Sequence, residues 1–137
     1  MSDILRLISA PDTALTVERA LTVGDEPSAI RHLTEAVSRL IQAPRGAEIP
    51  DAVLEVPHQI EDVRYRTLIA TAFAYAMVRR GRTPLAWMTD VKPLESEWLW
   101  GSDGGEAPEF RDLMRSQTPD VFRRKNILTR GRDWVAA

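Results

Sequence analysis

His58-Gln59-Ile60-Glu61-Asp62-Val63-Arg64-Tyr65-Arg66-Thr67-Leu68-Ile69-Ala70-Thr71-Ala72-Phe73-Ala74-Tyr75-Ala76-Met77-Val78-Arg79-Arg80 is the stretch on which the fold turns. Its spacing predicts one helix over 58–80, with Ile60, Val63, Leu68, Ala72, Phe73, Ala76 and Met77 on the buried side. Arg79 and Arg80 suit the negative end of a helix dipole, and Gly81 can take the left-handed conformation that closes a helix. From Ile69 to Ala76 the residues are apolar or small nearly all round, which predicts a central helix with neighbours on several sides. Two amphipathic neighbours do not readily cover that much surface, so a homodimer is one way to complete it.

Working toward the N-terminus, Asp25-Glu26-Pro27 places a capping carboxylate before a proline in a first helical turn, where Glu26 also favours the dipole. Ile30, Leu33, Val37, Leu40 and Ile41 follow at helical spacing and end near Ala43-Pro44, which predicts an amphipathic helix over 25–43 packed on the central one. Between them, residues 44–57 hold three prolines and a glycine and read as a connector with a short turn at Pro50 to Leu54. Ser2-Asp3 can cap a short helix over Ile4 to Ile8 that Pro11 ends. A further turn is expected from Asp12 or Thr13 through Val17, Ala20 and Leu21 to Gly24.

Working toward the C-terminus, the texture changes at Thr83. Pro84, Pro93, Pro108, Gly101, Gly104 and Gly105 interrupt a segment that carries Trp87, Trp98 and Trp100. A helix is predicted again from Ala107 to Arg115, bringing Phe110, Leu113 and Met114 together. Another starts at Thr118-Pro119-Asp120, with Thr118 as cap, Pro119 in the first turn, and Val121 and Phe122 opening its buried side. Asn126 can end it, because asparagine tolerates the left-handed region. The prediction is an all-α single domain of five to six helices: a helical core over 1–82 and a Trp-rich, basic region over 83–137 packed on it.

A chain of 137 residues with 44% apolar content can bury one core and has no cysteine for a disulfide, a thiolate nucleophile or a thiolate metal site. The longest mostly apolar run, Leu68 to Val78, is too short to span a bilayer. The N-terminal residues lack the pattern of a secretory signal, so a cytoplasmic location is expected. Net charge is -2 but unevenly placed. Residues 1–108 carry 11 Lys+Arg against 16 Asp+Glu, and residues 109–137 carry 7 against 4. A basic tail on an acidic body can seek nucleic acid, an acidic protein, or its own body.

Catalytic patterns are lacking. His32 and His58 have no second ligand at metal-binding spacing, and no Gly-x-Ser-x-Gly elbow is present. Gly101-Ser102-Asp103-Gly104-Gly105 reads as a surface turn without the Gly-Lys-Ser/Thr that would cradle phosphate. Asp25-Glu26 and Glu61-Asp62 are explained by helix starts, and Glu95 with Glu97 has no partner base. An enzyme working at Ser102-Asp103 is the least favoured reading.

Arg123, Arg124, Lys125, Arg130 and Arg132 are five cations in ten residues with no acid among them, enough to neutralise several phosphates. No helix-turn-helix pattern or interleaved aromatic residue supports base reading or stacking. The same residues can anchor a protein interface, where Arg and Trp carry much of the binding energy. Trp87, Trp98, Trp100 and Trp134 either form a satellite core or, if exposed, an interaction patch.

The stretch Ala86-Trp87 through Pro93-Leu94-Glu95 and Trp98, then Leu113, then Thr118-Pro119-x-x-Phe122-Arg123-Arg124-Lys125-Asn126-Ile127 resembles small bacterial proteins encoded beside a nucleotidyltransferase-like toxin, the antitoxins of such pairs. The resemblance covers about the last 55 residues, whereas residues 1–80 match only in being helical. It implies a protein that binds and neutralises a toxin, with no cofactor and no catalysis. Under that reading Trp87, Trp98, Trp100, Phe110, Phe122, Arg123, Arg124, Lys125, Arg130, Arg132 and Trp134 form the contact surface. The alternative is a nucleic-acid-binding regulator using the five cations.

Overall fold

The computed structural model describes residues 6–102 and 104–135. Three helices form the body: α1 (Ala10–Thr22), α2 (Glu26–Gln42) and α3 (Val63–Arg79). The rest is built from short pieces: α4 (Ala86–Thr89), β1 (Trp98–Leu99), α5 (Pro108–Gln117), α6 (Asp120–Arg123) and β2 (Ile127–Leu128), with single 3-10 turns at Asp51–Leu54 and Gly131–Trp134. The mostly helical prediction holds, with one two-stranded parallel ladder added.

α3 begins later than its periodicity suggests. The Asp62 carboxylate accepts from the Tyr65 amide at 3.0 Å and caps the helix there, so His58 to Glu61 lead in without helical structure. Val63, expected inside, is 56% exposed, while Ile60 is buried from the extended lead. From Tyr65 to Met77 every side chain but Arg66 is buried. α2 and α1 cover part of this surface, and α4 and α6 cover the rest. The cover that a second copy could have given is supplied within the chain.

The N-terminal reading is corrected at Pro11. Ser9 caps α1 through its side chain, and Pro11 lies in the first turn, where its missing N–H costs nothing. Proline therefore opens this helix and does not close an earlier one. The expected helix over Ile4 to Ile8 falls largely outside the described residues, and Arg6 to Ser9 are not helical.

α2 runs as expected from the Asp25 cap, and its end is tied to α3 by one residue. Arg80 is 7% exposed, and its guanidinium donates to the carbonyls of Leu40 (3.1 Å), Ala43 (2.8 Å), Pro44 (3.3 Å) and Ala47 (3.4 Å). Carbonyls at a helix end need donors, and a planar fork with five N–H groups serves Leu40 and the Ala43 cap together with two carbonyls of the connector that follows. Burial lowers the Arg80 pKa, and Arg82 and Arg45 add to the effect.

Beyond Gly81, at φ +72°, the chain returns along α3. β1 and β2 pair in parallel, with Trp98 opposite Ile127 and Leu99 opposite Leu128. The Trp98 amide donates to the Asn126 carbonyl at 2.8 Å, the Trp100 amide to Leu128 at 3.1 Å, and the Leu94 amide to Lys125 at 3.0 Å. Asn126 does take a left-handed conformation, φ 64°, and its side chain donates to the Leu94 carbonyl at 2.6 Å. Thr118 does not cap α6. It closes α5, its hydroxyl donating to the Met114 carbonyl at 2.7 Å and accepting from the Thr129 amide at 3.0 Å.

Candidate interaction surface

The aromatic residues expected to meet a partner are largely turned inward. Trp134 and Phe122 are fully buried, and Trp98 is 6% exposed. Tyr75, Phe122, Trp134 and Trp100 form a row with successive ring centroids 5.2, 5.3 and 4.5 Å apart, the last two pairs stacked. The Trp100 indole N–H donates to the Tyr65 hydroxyl at 3.3 Å, which donates to Glu26 at 2.7 Å. Burial, reinforced by Glu26, raises the Tyr65 pKa, so this phenol stays protonated as the donor in that chain. The Trp134 N–H is satisfied by Thr129 at 3.1 Å, so the largest buried ring leaves no polar atom unpaired. Trp87 sits apart, half-buried, donating to the Leu54 carbonyl at 3.0 Å. The row is the seam that fastens the last third of the chain to α3: Tyr75, Phe122 and Trp134 are buried in it, and Trp100 at its end is partly exposed.

The five cations are divided as well. Arg123 pairs with Asp120, and Arg130 pairs with Asp133 at 3.2 Å. Lys125 donates to the carbonyls of Thr89 and Val91, closing the end of α4. Arg124 and Arg132 are exposed, and among the described residues neither forms an ion pair. Sequence adjacency overstated this cluster, because each acid that answers it lies three residues from its cation.

What does face outward is α5. Only Met114 of this helix is buried, against Leu99 and Leu128, while Phe110 and Leu113 are 46% and 50% exposed, one turn apart. Leu113 lay outside the predicted surface, although its spacing of three from Phe110 was the available signal. The opposite side of α5 is pinned by charge. Glu97 accepts from Arg115 at 2.7 and 2.8 Å and from Arg111 at 2.6 Å; Arg111 also reaches Glu106 at 2.9 Å. Arg115, with Arg111 behind it, holds the Glu97 carboxyl below the usual carboxylate range, against the opposing effect of burial. Such a linked, bidentate set is worth more than isolated surface pairs, which contribute ~0–1 kcal/mol each.

Catalytic alternatives gain nothing from the geometry. The Ser102 hydroxyl is held by Glu106, and Asp103 lies outside the described residues. His58 contacts Glu18 at 3.0 Å, and His32 is exposed on α2. Among the described residues no group of His, Asp and Glu could hold a metal ion, and no helix is long and apolar enough to cross a membrane. Compared with family models, curated proteins and solved structures, the chain has no significant match.

Proposed function

We propose that this chain is a non-catalytic protein-binding module of the antitoxin type, which neutralises a bacterial nucleotidyltransferase-like toxin by direct contact. The observation that carries the reading is the outward pair Phe110 and Leu113 on a helix docked through one buried methionine and an ion network. Two large apolar side chains on one exposed face are the usual anchors by which a helix enters a partner's groove. Arg124 and Arg132 lie outside the internal ion pairs and are available to complement an acidic rim.

The test is co-purification with the product of the adjacent gene, followed by F110D/L113D. Wild type forms a stable complex that suppresses the partner's activity, and the double variant loses it by more than about a hundredfold in Kd. A wild-type chain that leaves that product active, or a double variant that still binds, removes the proposal. The nucleic-acid reading is weaker because three of its five cations are engaged within the chain. It requires duplex affinity that falls steeply with salt and depends on Arg124 and Arg132.

A further inference from the structure

A cleft on the far side of α3 from the aromatic seam has the features of a small-molecule site. Its volume is about 200 Å³, and it lies between α1, the lead-in to α3, α3 itself and α4. The floor is Ala14, Ile60, Ile69 and Ala70, each less than a tenth exposed. One wall is Trp87, whose ring is fixed twice: by its N–H bond to Leu54 and by Phe73 at 6.1 Å between centroids. The lining is thus set before anything binds, which spares a ligand the cost of ordering it.

Two opposite charges line this cleft and do not meet. Arg66 is oriented by donating through Nε to the Ile60 carbonyl at 2.8 Å and through one terminal nitrogen to Glu61 at 3.4 Å, which leaves its other nitrogen uncommitted. Asp90 lines the same cleft, exposed, and takes part in none of the ion pairs among the described residues. His58, also at the cleft, is already engaged by Glu18. An apolar hollow with a separated cation and anion matches a ligand that carries an anion, a cation and an apolar group together. An internal residue of a protein segment carries at most one of those charges.

We propose that this cleft binds a free apolar α-amino acid, with its carboxylate on Arg66, its ammonium on Asp90 and a branched or aromatic side chain on the Trp87-walled floor. The size agrees: an apolar cavity of about 150 Å³ holds benzene, so 200 Å³ accommodates a side chain of this kind. Nothing in this assignment depends on the toxin-binding reading.

The test is titration calorimetry on the full chain with L-leucine and L-phenylalanine, beside N-acetyl-L-leucine and L-leucinamide. At least one free amino acid binds, and each capped leucine, having lost one charge, binds at least about tenfold more weakly than leucine. Asp90→Asn, an exposed change that leaves the core intact, weakens leucine about tenfold and leaves N-acetyl-L-leucine unaffected. Ala70→Leu fills the floor and abolishes binding. Absence of heat for every amino acid up to ~10 mM overturns the proposal. So does equal binding of free and capped leucine, or leucine affinity unchanged in D90N.

Discussion

The half of the chain from α1 to α3 buries its side chains in regular stripes along helices of 13 to 17 residues, whereas the half from α4 to the final turn is built of elements of two to ten. The first half is held by periodic apolar contact. The second is held by rings, side-chain bonds to carbonyls, and a two-residue ladder. Elements of four residues cannot persist alone, since helices below about 12–15 residues are marginal in water. The second half therefore takes its shape from the first. It also returns something, since α4, α6 and the aromatic row cover the part of α3 that α1 and α2 leave open.

If that exchange is mutual, removing the key ring of the second half must unfold the first. Trp134→Ala deletes a fully buried ring stacked between Trp100 and Phe122, with an expected cost of about 3–5 kcal/mol. Urea transitions followed by helical circular dichroism and by tryptophan fluorescence stay coincident. Separate transitions would mean that the halves are independent.

Arg80→Met probes the first half in the same way. Methionine keeps the apolar stem but removes the guanidinium from the carbonyls of Leu40, Ala43, Pro44 and Ala47, of which Leu40 and Pro44 keep backbone donors, so a loss of about 2–4 kcal/mol is expected in denaturant melts. A smaller effect comes from Gly131→Ala. Its added methyl would stand 2.7 Å from the Tyr75 hydroxyl, and the shift needed costs about 1–2 kcal/mol. Unchanged stability there would show that the last turn gives way freely.

α5 is the weakest link, and acid isolates it. The Glu97 carboxyl titrates lower in the folded chain than in the unfolded one, so its contribution is complete above the unfolded value and disappears as pH falls through the folded one. The protection of the α5 amides against hydrogen exchange, taken relative to the intrinsic rate at each pH, falls several-fold below about pH 4 while α2 and α3 keep theirs. Glu97→Gln brings the same loss of protection at neutral pH. Smallest of all, Phe110→Ser leaves stability within about 0.5 kcal/mol, because that ring is already half exposed.

The contrast also explains what could be read in advance. The stripe and cap of α2 and the glycine end of α3 are legible because burial recurs at helical spacing and Asp25 and Gly81 act locally, whereas the start of α3 at Asp62 is not, since the apolar spacing continues back to Ile60. Pro11 was misread because a proline after a potential cap can close one helix or open the next, and Ser9 decided it through a bond the sequence does not display. The pairing of Trp98-Leu99 with Ile127-Leu128 had no local signal, since two residues show no alternation. Inward and outward tryptophans look alike in a sequence. The row from Tyr75 to Trp100 decides which they are, and it exists only once α6 lies on α3.

The ladder between β1 and β2 has a further consequence. It joins the backbone on both sides of residues 101–117, so α5 is carried on a stretch whose two ends are fastened beside each other. Loop-closure entropy grows only slowly with length, about 0.6 kcal/mol for each doubling. Lineages of this chain could therefore lengthen, shorten or exchange that stretch, and with it the face it presents, while the fastening stays in place.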